Sequence, residues 1–123
     1  MDKAQAVHNF MNSFTWKAYD EGTVPDDAVF PRITYQLFVD ALDHPLSMAI
    51  SLWDRSYSWT SVEEKAKEIA YRLYTMRPPA IPCDTGRVYI KKGSPFAQRM
   101  SDQADSMIRQ MYINLEIEYF TAY

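Results

Sequence analysis

Three glycines and a single cysteine in 123 residues exclude more chemistry than any motif in the chain suggests. Gly22, Gly86 and Gly93 stand far apart, so no glycine-rich loop exists to cradle a phosphate in backbone amides. Cys83, alone, cannot build an intrachain disulfide framework, and it suits a chain that folds in a reducing cytoplasm. With only His8 and His44 beside it, the ligands of a Cys/His zinc site are too few. Positive charge is also in short supply: 13 Lys and Arg against 16 Asp and Glu leave a formal charge of -3. A nucleic-acid binder relying on a basic patch needs the opposite balance, because phosphates are neutralised by clustered cations. No basic stretch followed by a long apolar core opens the chain, and no run is long enough to span a bilayer, so a soluble protein is expected. Internal repeats, heptads and low-complexity tracts are missing as well.

What is present is aromatic and patterned. The chain is long enough for one domain, residues 1–123, burying roughly two thirds of its unfolded surface. Aromatics make up 15% of it and there are seven methionines, more than so small a core needs, which places some at the surface for contacts between chains.

The clearest period lies in Met111 to Phe120, where Met111, Ile113, Leu115, Ile117 and Tyr119 alternate with Asn114, Glu116 and Glu118. That is a strand with one covered and one wetter face. Residues 3–14 read as an amphipathic helix with an Asp2/Gln5 capping box and an apolar stripe of Ala4, Val7, Met11 and Phe14. Thr15 to Tyr19 suits a short strand, and Asp20-Glu21-Gly22 and Pro25-Asp26-Asp27 are turn chemistry. Residues 32–39 alternate as a second strand, Asp43-His44-Pro45 turns, and Leu46 to Leu52 returns as its hairpin partner. Thr60-Ser61-Val62-Glu63-Glu64 offers two overlapping capping boxes ahead of Val62, Ala66, Ile69, Ala70, Leu73 and Met76 at helical spacing. Pro78, Pro79 and Pro82 forbid continuation. Arg87 to Lys91 then reads as a short edge strand and residues 92–105 as a loop. The expected fold is α+β, a mainly antiparallel sheet with two helices packed on one face.

No constellation points to catalysis. Cys83 lacks a neighbouring base, and His8 and His44 read as surface residues on a helix and in a turn. Asp20, Glu21, Asp26 and Asp27 lack calcium-loop spacing and read as a solvated acidic loop. Glu116 and Glu118 are ordinary for the wetter face of a strand. The sharpest cluster is residues 53–59, where Trp53, Tyr57 and Trp59 stand among small and charged residues. It reads equally as a protein interface or as an aromatic lid on the core. The long segment 92–105 carries Phe96 and Met100 with Arg99 among polar residues, which reads as an assembly element, with a local lid over the sheet as the alternative.

Taken together, Thr23-Val24-Pro25-Asp26-Asp27-Ala28, Phe30-Pro31-Arg32-Ile33-Thr34-Tyr35, Ser51-Leu52-Trp53, the run from Gly93 to Asp102 and the closing Asn114-Leu115-Glu116-Ile117-Glu118 carry a resemblance covering nearly the whole chain. In order and spacing they resemble tail-completion proteins of the tail-terminator group, from long-tailed, siphovirus-type bacteriophages or prophages of Gram-positive bacteria. The resemblance implies a small non-enzymatic α+β subunit without metal or cofactor. It implies a homo-hexameric ring at the head-proximal end of the tail tube, ending tube growth and offering a joining surface to a head-completion or connector protein. Its partners would be itself, the tail tube protein and that connector, with DNA passing through the lumen without specific binding and no membrane involved. It would reside in the virion tail after assembly in the host bacterial cytoplasm. Trp53, Tyr57, Trp59, Phe96, Arg99 and Met100 are the candidate interface residues. A head-closure or neck protein of the same machinery is the nearest alternative, and a small bacterial ligand-binding domain or enzyme is a more distant one.

Overall fold

A computed structural model describes residues 1–37, 45–100 and 105–121. In chain order its elements are α1 (Lys3–Asn12), β1 (Lys17–Asp20), a 3-10 turn (Glu21–Thr23), β2 (Arg32–Tyr35), β3 (Leu46–Arg55), α2 (Thr60–Thr75), β4 (Ala80–Cys83), β5 (Gly86–Met100) and β6 (Ile108–Thr121). The strands form one six-stranded sheet in the order β1-β2-β3-β6-β5-β4. Every pair is antiparallel except β1 and β2, whose long connection permits a parallel return. This is the α+β class that the alternating periods imply.

The Met111–Phe120 pattern sits at the centre of that sheet. Its alternation becomes burial: Met111, Ile113, Leu115, Ile117 and Tyr119 are buried and their neighbours are not. Register carries the same face onto β3 through Met48, Ile50 and Leu52, and onto β5 through Val88 and Ile90. Val7, Phe10 and Met11 of α1 and Val62, Ala66, Ile69 and Leu73 of α2 join these residues in a single cluster. Each fully buried aliphatic side chain contributes about 2 to 3 kcal/mol, so the strand's period and the helices' stripes supply the dominant stabilisation.

The start of α1 follows its sequence signal, with Asp2 Oδ1 accepting the Gln5 N–H at 2.8 Å. The start of α2 does not. Its N-cap is Trp59, which makes no side-chain cap bond, and Glu63 turns instead to Arg99. A charge-assisted contact to a guanidinium outbids a local cap. Between α1 and β1, Thr15 adopts φ 70, a costly conformation for a β-branched residue, and this turn delays the strand to Lys17.

Three further expectations are corrected. β5 is a fifteen-residue strand flanked by β4 and β6, not a short edge strand followed by a loop from Lys92. Its pattern is hidden by a register break between Lys92 and Ala97, where Gly93 to Phe96 bulge out opposite Asn114. Gly93 is required there, since a Cβ would lie 2.9 Å from the Asn114 carbonyl oxygen. β4 was hidden by prolines; Pro82, lacking a donor, is tolerated because β4 is the sheet's outer strand. His8 is not a free surface residue: its Nδ1 meets the Tyr35 hydroxyl and its Nε2 accepts from Asn12 Nδ2 at 2.8 Å. Asn12 Oδ1 in turn accepts the Ala18 N–H at 2.9 Å, tying α1 to β1. Phe38, Val39, the Asp43-His44 turn and residues 101–104 lie outside the described residues.

Candidate interaction surface

No three His, Cys, Asp or Glu side chains among the described residues are placed to hold a metal ion. Cys83 is half-buried at the outer strand against the core. Among the described residues, two groups have displaced proton affinities, and each has a local structural cause. Burial, followed by the Asp20 carboxylate, raises the Tyr35 hydroxyl above its ordinary value. The Met107 N–H, reinforced by Arg55, holds the Asp105 carboxyl below the usual carboxylate range. The bulge in β5 opens a shallow hollow of about 570 Å³ beside Ser47, Ser94, Asn114 and Glu116. One of its polar groups, the Asn114 amide, is spent on the Pro95 carbonyl at 2.8 Å, bracing the bulge. No helix of the described residues is long and apolar enough to cross a membrane.

Five of the six candidate interface residues divide between the two faces of the sheet. Trp59 and Arg99 meet on the helix side, where the Arg99 guanidinium lies 4.9 Å from the indole centroid and its Nε donates to Glu63 Oε1 at 2.9 Å. Arg109 approaches the same indole at 5.5 Å and donates to the Tyr57 carbonyl at 3.1 Å. Phe96 also turns to the helix side, packing against the core and sharing a hollow of about 290 Å³ with Ala66, Ala70, Ala97 and Met111. That is the lid geometry. Trp53 and Met100 stand on the opposite face, in one row on either side of Gln110. The Trp53 indole donates to Thr34 Oγ1 at 2.8 Å and so covers a buried hydroxyl. Tyr57, between β3 and α2, is 86% exposed and is the freest of the six.

Several exposed or paired residues gave no signal that was used in the sequence. Tyr71 and Tyr74 stand 69% and 71% exposed on the outer side of α2. Their position off the Val62–Leu73 stripe is a periodic signal that would have revealed them. Arg109 and Glu63, which clamp Trp59 and Arg99, come together only through tertiary structure and left no local signal.

The sheet also ends openly. β1 is its outer strand on one side, and on the other β4 covers β5 only from Gly86 to Tyr89. Among the described residues, no backbone hydrogen bond is made to the outer side of Ala97–Met100. Compared with known proteins, the chain matches no family model, no curated protein and no solved structure.

Proposed function

We propose that this chain is a structural subunit of a phage or prophage tail, forming a ring with copies of itself at the head-proximal end of the tail tube. The ring, six subunits by the family resemblance, ends tube growth and presents a joining surface to a head-completion protein. It acts without cofactor or metal, lets DNA pass without binding it specifically, and resides in the virion after assembly in the host cytoplasm. The observation that supports this reading best is one sheet with an open edge at each end, since a subunit with two different free edges can join copies head to tail. Exposed Tyr57, Tyr71 and Tyr74 add rigid amphipathic contact area of the kind interfaces favour.

The test is to mix the purified protein with tail tubes of a candidate long-tailed phage and image them by negative stain. Rotationally symmetric rings on one end of each tube are expected. Protein found instead on isolated head connectors would overturn the terminator reading in favour of a neck protein. Protein found on neither, with no ring, would overturn both.

A further inference from the structure

The register of the sheet puts its two uncovered edge segments on the same ladder rows. Lys17, Arg32, Trp53, Gln110 and Met100 form one continuous row across β1, β2, β3, β6 and β5. Asp20, Tyr35, Ile50, Ile113 and Ala97 form the row three residues along. The outer strand β1 and the uncovered end of β5 therefore span the same four rows, and the strand directions make them antiparallel to each other. A neighbour docked edge to edge with no shift in register sets its Lys17–Asp20 beside Ala97–Met100. A closed ring demands that absence of shift, whereas a staggered pair of edges would build an open helix.

Charge complements the register. From Asp20 to Asp27 the chain carries Asp20, Glu21, Asp26 and Asp27 with no Lys or Arg, and Glu21, Asp26 and Asp27 are exposed. β5 carries Arg87, Lys91, Lys92 and Arg99 with no Asp or Glu, and exposed Lys67, 3.7 Å from Glu64, borders the Phe96–Ala97 hollow, which Glu63 also lines. Because β1 runs toward Asp20 and that row ends on Ala97, the acidic segment leaves a docked β1 at the end of the edge nearest Lys92 and Lys67. We propose, resting on the ring reading above, that copies of this chain join through a β1-to-β5 edge contact, with the acidic segment 20–27 of one copy against Lys67 and Lys92 of the next. The Ala18 N–H is already held by Asn12 Oδ1, which removes one ladder bond, and the charge contact sets the specificity of the pairing.

A charge-exchange experiment tests this pairing. One variant carries Glu21→Lys, Asp26→Lys and Asp27→Lys; the other carries Lys67→Glu and Lys92→Glu. Each is checked for wild-type folding by circular dichroism and then followed by native mass spectrometry at the highest concentration reached. Each variant alone should self-associate about tenfold or more weakly than wild type, because its own edges now repel. Mixed in equal amounts, they should recover even-numbered rings, since each reversed edge then meets its complement. Either folded variant associating as wild type does, or a mixture that fails to recover, overturns the edge pairing and leaves the ring reading standing. A wild-type chain that neither self-associates at any concentration nor forms a ring on tail tubes overturns the ring reading and this pairing with it.

Discussion

Lys65 offers the sharpest test of how the helices are held. It lies on α2 yet is only 8% exposed, and its Nζ donates to the Phe14 carbonyl at 2.7 Å, Thr15 Oγ1 at 3.2 Å and Glu68 Oε1 at 2.9 Å. The ammonium also sits 5.2 Å from the Trp16 ring centroid. It thereby fixes the turn in which Thr15 holds its costly positive φ. Lys65→Met keeps most of the buried stem and removes the three donors. Glu68 is 44% exposed and recovers water, so that ion pair counts for little, while the Phe14 and Thr15 oxygens lose a charged donor. The expected loss is about 2 to 3 kcal/mol, the range for hydrogen bonds to a charged group. Lys65→Ala also removes the packed stem and should cost about 4 kcal/mol in all. Urea unfolding followed by circular dichroism, with unchanged slope, gives both values. A Lys65→Met midpoint within about 0.5 kcal/mol of wild type would show that the ammonium is incidental to the α1–β1 turn.

Other outcomes follow from single sites. Gly86 has φ +152 and a Cβ there would lie 2.0 Å from the Phe120 carbonyl oxygen, so Gly86→Ala should cost about 3 kcal/mol or more; a melting temperature like wild type's would refute that strain. Phe96 and Met100 lie on opposite faces, so Phe96→Ser should destabilise the monomer by about 1 to 3 kcal/mol and Met100→Ser by under about 1, without coupling. A double-mutant cycle with strong coupling between them would contradict the placement. The depressed Asp105 carboxyl contributes stability that is present above its unfolded value, about 3.9, and is lost as pH falls through the lower folded one. Asp105→Asn should therefore be less stable than wild type at neutral pH, with the gap closing in acid; a gap constant down to pH about 2 would refute this.

Legibility in the sequence followed the length of the periodic runs. β6 and α2 were evident because Met111–Tyr119 and Val62–Leu73 repeat one period without interruption, and burial is what those periods encode. The far half of β5 was not, because the bulge at Gly93–Phe96 slips the alternation and makes one strand resemble a loop. β4 was masked by Pro82, whose missing donor argues against a strand unless its edge position is already known. Lys65 gave no apolar signal although it sits three residues after Val62 and four before Ile69, on the buried stripe itself. The candidate surface was legible residue by residue but not as a surface: Trp59 and Arg99 touch, while Trp53 and Met100 face the other way. That division depends on strand register, which no local pattern states.

The most direct measurement of the central claim is imaging of tail tubes with and without the purified chain, with class averages viewed down the tube axis. The account predicts a closed ring of this protein, with six-fold symmetry, at one end of each tube, and tubes of bounded length in its presence. Bare tube ends and unchanged tube lengths in the presence of folded protein would contradict it.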